Sequence, residues 1–205
     1  MTRAQRGFTL IELVLALSIV AVMLTILFGG LRVGVRAWQR GEERANTLEH
    51  ARSMRQLLEQ VLGGTYPFQG QIDQTSQPQV LFRGEAEKVS FVTLSSPFPL
   101  AAPIAFTAVT LSMDTGAAAG LAVRQKALPN FEPFEEVKPS LIDSTVTAVR
   151  FRYLRDPEAG SWEDTWDGAE ERTVPRAVEV TLTAMVNGQL QEQPPVTVPI
   201  RVTTP

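Results

Sequence analysis

The sequence predicts an α+β protein: a long N-terminal helix, transmembrane in its first half, packed on a domain of two small antiparallel β-sheets. Two observations carry this prediction. No charge lies between Glu12 and Arg32, while other stretches of similar length hold several. After Gly64 the apolar repeat drops from about 3.6 residues to about two, the change from a helix face to strand alternation.

The first element is the apolar run. Met1 to Arg6 is polar and basic (Arg3, Arg6), and Gly7-Phe8-Thr9-Leu10-Ile11-Glu12 leads into an uninterrupted apolar stretch. From Phe8 to Leu31 a helix rising about 1.5 Å per residue reaches about 36 Å, enough to cross a hydrocarbon core. An ordinary secretory signal peptide has a shorter apolar run and a small-x-small cleavage site, which is absent here. A plain signal anchor accounts for the length but not for Glu12. A carboxylate near the centre of a membrane helix costs about 2.5–3.5 kcal/mol, less near an end, and such residues tend to be functional.

The helix continues beyond the apolar run. Arg32 to Leu62 lacks proline and is rich in Arg, Glu, Gln, Leu and Ala, which are good helix formers. Ala51, Met54, Leu58 and Val61, with Leu57 and Leu62 beside them, form a one-sided apolar stripe. Gly63-Gly64 supplies a stop, so Phe8–Leu62 reads as one helix about 80 Å long. Gly29-Gly30 and Gly34 interrupt it at about 1 kcal/mol each relative to alanine, either tolerated or serving as a hinge. Arg32, Arg36, Arg40 and Arg44 fall at i+4 spacing on one face. They form a solvated ridge beside Glu43, or a contact with lipid phosphates or acidic neighbours.

Seven strands are expected in the domain: 79–83, 89–94, 106–113, 121–127, 146–154, 177–186 and 196–202. Alternation is clearest in Val149-Arg150-Phe151-Arg152-Tyr153 and Val178-Glu179-Val180-Thr181-Leu182, each with one apolar and one polar face. Asn187-Gly188 signals a hairpin turn between the last two strands.

The chemistry available is limited. Without cysteine there is no disulfide, thiolate nucleophile or Cys-based metal site. The one histidine, His50, lies in a charged helical stretch far from any nucleophile motif. A net charge of −3 provides no basic footprint for nucleic acid. No phosphate loop, nucleophile elbow or dinucleotide fingerprint is present, so no cofactor is expected. Asp156 to Glu171 holds seven carboxylates with Trp162 and Trp166. Its spacing matches no EF-hand, and it reads first as a solvated loop anchored by its tryptophans. A partner contact, calcium binding and paired-carboxylate catalysis are the other readings.

Gly7-Phe8-Thr9-Leu10-Ile11-Glu12 resembles the processing site of type IV prepilins and type II secretion pseudopilins. The resemblance implies that a prepilin peptidase in the inner membrane cuts the Gly7–Phe8 bond and methylates Phe8. It also implies that Glu12 pairs with the α-amine of a neighbouring Phe8 during assembly. Residues 1–7 then form a cleaved leader, 8–31 the membrane and assembly helix, 32–64 its periplasmic part and 65–205 the periplasmic domain. A count of flanking basic residues alone would instead leave the domain in the cytoplasm.

Val149-Arg150-Phe151-Arg152-Tyr153, Ser161-Trp162, Trp166 and Val174-Pro175-Arg176-Ala177-Val178-Glu179-Val180 resemble the J type of minor pseudopilin. Gln79-Val80-Leu81-Phe82-Arg83-Gly84 with Val89-Ser90-Phe91-Val92-Thr93 is similar to its first hairpin. This resemblance implies a non-enzymatic part of the pseudopilus tip, partnered by the I and K types and, more distantly, the H type and the major pseudopilin. A minor type IV pilin and a membrane-anchored periplasmic domain binding sugar or calcium are the alternatives.

Overall fold

A computed structural model describes residues 9–73, 76–100, 106–116, 118–135, 137–186 and 188–201, with backbone alone at 40, 43, 44, 46 and 47. The chain comprises two units, Met1–Ala51 and Arg52–Pro205. Helix α1 (Leu10–Gly63) has 54 residues, and the glycines at 29, 30 and 34 lie within it.

Every described side chain of α1 from Leu10 to Ser53 is exposed. Burial begins at Met54 and continues through Leu58, Val61 and Leu62. The expected stripe therefore starts one step later than its sequence pattern, since Ala51 is exposed. Gly64 N donates to Gln60 O at 3.2 Å, and the Thr93 hydroxyl donates to Val61 O at 2.9 Å. Carbonyls left open at the helix end thus find donors from the turn and from a strand.

The strands among the described residues are β1 (Gln69–Gly70), β2 (Gln79–Val80), β3 (Phe82–Gly84), β4 (Lys88–Thr93), β5 (Thr107–Asp114), β6 (Gly120–Ala127) and β7 (Leu141–Asp143). Next come β8 (Val146–Asp156), β9 (Ser161–Glu163), β10 (Trp166–Asp167), the short helix α2 (Gly168–Glu171), β11 (Ala177–Val186), β12 (Gln189–Glu192) and β13 (Val196–Pro199). One sheet has the order β10-β3-β4-β5-β6-β7. The other has the order β12-β11-β8-β9, with β13 also paired to β11, and β1-β2 forms a separate ribbon. All pairings are antiparallel.

The two expected sheets are thus present, with short strands added at their edges. The expected strand 79–83 divides at Leu81, because β2 pairs with β1 while β3 pairs with β4. The hairpin turn at 187–188 joins β11 to β12 rather than to 196–202, and Gly188 there has φ +77°. Asn187 lies outside the described residues.

One core joins the helix residues to both sheets. Phe82, Val89, Phe91, Leu111 and Val123 of the six-stranded sheet meet Val149, Phe151, Tyr153, Val178 and Val180 of the other. The six-stranded sheet is covered on its second face as well, by a cluster of Leu81, Val92, Ala108 and Leu128 under Phe68, Ile72, Phe106 and Phe134. With both faces covered, β4 after Lys88 and the first five residues of β5 are buried at successive positions, small polar residues included, while β8 alternates. Ser90 and Thr110 sit opposite each other in this buried layer, their hydroxyls 3.0 Å apart.

The sheets are also tied through the backbone at 85–86. Phe151 N donates to Ala86 O at 2.8 Å, and the buried Tyr153 hydroxyl donates to Glu85 O at 2.8 Å. Burial, with a smaller contribution from the Glu85 charge, raises the Tyr153 phenol well above its ordinary value, so it remains a donor.

Candidate functional site

The N-terminal segment is organised around Thr9 and Glu12. Thr9 immediately precedes α1, which makes Glu12 its third helical residue. The Glu12 carboxylate accepts from Thr9 N at 3.2 Å and from the Thr9 hydroxyl at 3.1 Å. Glu12 N in turn donates to Thr9 Oγ1 at 3.4 Å. This is a capping box, in which a Thr and a Glu three residues on satisfy each other's orphan donors at a helix start. Thr9 therefore belongs to the site, and the Thr-x-x-Glu spacing was the sequence signal for it. Gly7 and Phe8 lie outside the described residues.

From this cap the apolar run continues as a potential membrane span, Leu10–Gln39. None of its most apolar window is buried by protein, as expected of a segment whose solvent is lipid. Arg32 and Arg36 are exposed near its end, and Arg40 and Arg44 continue the i+4 row along the helix backbone.

The acid-rich tract differs from its expected form. Residues 156–171 hold two short strands and α2, and two of their carboxylates, Glu163 and Glu171, converge on one cation. Arg155 donates to Glu171 through Nη1 and Nη2, both at 2.6 Å. It also donates to Glu163 through Nε, and through Nη2 at 3.0 Å. Both forks of the guanidinium are therefore engaged, and the Trp166 ring lies 5.2 Å from its centre.

The electrostatics follow from the clamp. Hydrogen bonds from Arg155 hold the Glu163 and Glu171 carboxyls below their ordinary value. The same bonds, to Glu163 first and Glu171 second, raise Arg155 further above its own. Asp167 caps α2 by accepting from Ala169 N at 2.8 Å, and Arg172 ends it in the left-handed conformation at φ +56°. The Trp166 indole donates to Thr173 O at 3.0 Å and is buried as expected. Trp162 is half-buried instead, 5.8 Å from the Arg152 guanidinium.

A groove of about 630 Å³ crosses the outer face of the five-stranded sheet, lined by Arg150, Arg152, Asp164 and Glu179 among others. Its charges are mutually paired: Asp164 lies 3.6 Å from Arg150, and Glu179 lies 3.6 Å from Arg152. Among the described residues no three His, Asp or Glu side chains converge to hold a metal. His50 is exposed on α1.

Comparison with known proteins adds two matches that meet end to end. Residues 2–28 match the prokaryotic N-terminal methylation motif, and residues 29–193 match the family described as type II secretion system (T2SS), protein J. The type II secretion system protein J of Xanthomonas campestris pv. campestris is 29% identical over 168 residues, covering 78% of this chain and 79% of the relative. The family model spans the second half of α1 and most of the β-rich unit, and the chain belongs to the type II secretion system protein J family, as a minor pseudopilin.

Proposed function

We propose that this pseudopilin is made as a precursor, cut between Gly7 and Phe8 by the prepilin peptidase and methylated at Phe8. The match of residues 2–28 to the methylation motif carries this reading. The mature chain then has residues 8–31 in the inner membrane, 32–64 as the periplasmic continuation of the helix and 65–205 as a periplasmic domain. That orientation follows the family pattern over the basic count at the two flanks. Glu12 acts in assembly, pairing in an apolar bundle with the α-amine of an adjacent Phe8.

Its place is the pseudopilus tip, beside minor pseudopilins of the I and K types and near the H type and the major pseudopilin. Its role there is to help initiate assembly for the export of folded proteins across the outer membrane. It works as a scaffold and not as an enzyme. The engagement of Glu163 and Glu171 with Arg155 supports this, since neither carboxylate is free to serve as an acid or base.

The test is an intact-mass measurement on protein extracted from membranes. The expected chain begins at methylated Phe8, and Gly7→Trp retains the precursor mass. A chain beginning at Met1, or within residues 28–36, contradicts the reading.

A further inference from the structure

The groove on the five-stranded sheet lies beside a stretch of β8 that has a neighbouring strand on one side only. β8 runs from Val146 to Asp156, but β9 pairs with it only at Tyr153, Leu154 and Asp156. On the other side β11 follows it from Val146 to Leu154. Backbone N–H and C=O groups along a strand point to alternate sides, so each residue bonds one neighbour or the other. Leu182 O accepts from Gln193 N at 2.8 Å, away from β8, so the groups of Glu179, Thr181 and Thr183 face β8. Their partners Arg152, Arg150 and Ala148 use their own backbone groups there, which turns those of Val149 and Phe151 to the opposite edge. Phe151 N shows this direction by donating to Ala86 O, in the turn between β3 and β4.

Val149 has no such partner. Among the described residues neither its N–H nor its C=O is hydrogen-bonded on this edge. Only 3% of Val149 is exposed, so these groups lie in a recess and not on an open surface. Buried backbone groups are almost always bonded, and an N–H with a C=O on one strand edge is the pair that an added strand satisfies. The groove lies at this place, lined by Ala86, Glu87, Ala148 and Val149 together with the paired charges. The far edge of the same sheet is less suited, because Pro194 and Pro195 interrupt it between β12 and β13.

The groove also selects by charge. Asp164 and Glu179 are matched by Arg150 and Arg152. Glu87 and Glu192 line the same groove, both exposed, and no ion pair forms at either among the described residues. The lining therefore has carboxylates in excess. We propose that this groove is a docking site for an extended, basic peptide segment of a partner protein, which adds to β8 as a short strand in line with β9. The residue opposite Val149 bonds its N–H and C=O and turns its own side chain toward the core, as Val149 does. The residues on either side of it lie on the outer face, where lysine or arginine meets Glu87 and Glu192. A second copy of this chain fits less well, because its edge strands β7, β9, β12 and β13 hold no lysine or arginine. The inference concerns the second unit alone and does not depend on cleavage at Gly7.

The experiment uses the full-length chain in a neutral detergent and a short fluorescent peptide that alternates valine with lysine. Binding is read by fluorescence anisotropy and by amide exchange at Val149. The lysine peptide should bind saturably at or below about 1 mM and slow exchange at Val149. Two further probes carry N-methyl groups on the odd or on the even residues. One should bind roughly tenfold more weakly and the other nearly as well, because only every second amide faces β8. A glutamate peptide should bind worse than the lysine peptide. Glu87→Gln and Glu192→Gln should each weaken the lysine peptide roughly twofold to fivefold. Absence of saturable binding, equal behaviour of the two methylated probes, undiminished binding by the glutamine variants, or equal binding of the glutamate peptide overturns the proposal. So does protection of Val149 that rises with protein concentration alone, which assigns the edge to a second copy. Binding that leaves exchange at Val149 unchanged places the peptide elsewhere and overturns it too. The mature N-terminus is measured separately by intact mass, so either reading can fail without the other.

Discussion

Glu12 is a charge whose partner depends on its surroundings. In the single chain its carboxylate is held by Thr9 N and the Thr9 hydroxyl, an arrangement that remains hydrated near a membrane surface. Within a packed apolar bundle, removing the partner of a buried charge costs about 3–5 kcal/mol, so the proposed assembly would have to supply a cation. Glu12→Ala should therefore leave cleavage and insertion intact while reducing co-purification of membrane-embedded partners and lowering secretion. Equal co-purification and equal secretion at matched expression would remove Glu12 from assembly. A second residue acts by its lack of a side chain. A Cβ on Gly84 would stand 2.3 Å from Tyr153 Cζ. The ring has no room to retreat, since its hydroxyl is fixed to Glu85 O and its edge meets Phe82 with ring centres 5.9 Å apart. Gly84→Ala should cost about 1–3 kcal/mol in a denaturant titration, and Tyr153→Leu in the same chain should lessen that penalty.

At the scale of elements, Arg155 on β8 fastens both β9 and the end of α2 to one strand. Glu163 and Glu171 have folded values below their ordinary one, so their stabilisation is present above about pH 4.5. It is lost as pH falls through the depressed folded values, while Arg155 stays charged. Glu163→Gln with Glu171→Gln should therefore lower Tm slightly at about pH 7, and by progressively less as pH falls below about 4.5. A deficit that does not shrink as the pH falls would mean that packing, and not charge, holds the tract. This clamp was hidden in the sequence because Arg155 lies just outside the acid-rich stretch, whose composition alone reads as a solvated loop. The strands with one exposed face were legible: β8 and β11 alternate because half of each meets water. Short edge strands such as β7, β9 and β10 have two or three residues, too few for any period to register. The Thr9–Glu12 box was legible by spacing, yet the lone charge in an apolar run drew the reading toward assembly instead.

For the whole molecule, the division at Ala51 and Arg52 makes a prediction about where the β-rich unit becomes self-sufficient. Among the described side chains of α1, Met54, Leu58, Val61 and Leu62 are the buried ones, and all four belong to the second unit. A chain beginning at Arg52 keeps them, loses the apolar span and should be soluble and cooperatively folded. Calcium should not shift its Tm, because Glu163 and Glu171 already satisfy Arg155, and a large shift over chelator would instead reveal a metal site. A chain beginning at Thr65 removes the four helical residues from a core that otherwise remains the same. Truncating one large buried aliphatic side chain costs about 2–5 kcal/mol, and whole domains hold only about 5–15 kcal/mol in reserve. Losing four together costs about 8–20 kcal/mol by the same figures, comparable to or larger than that reserve, and it also strips Thr93 of its acceptor on Val61. The shorter chain should show no cooperative melting transition and should expose apolar surface to a dye such as ANS. If it melts as cooperatively as the longer chain, the last turns of α1 serve as a tether to the membrane helix and not as part of the core.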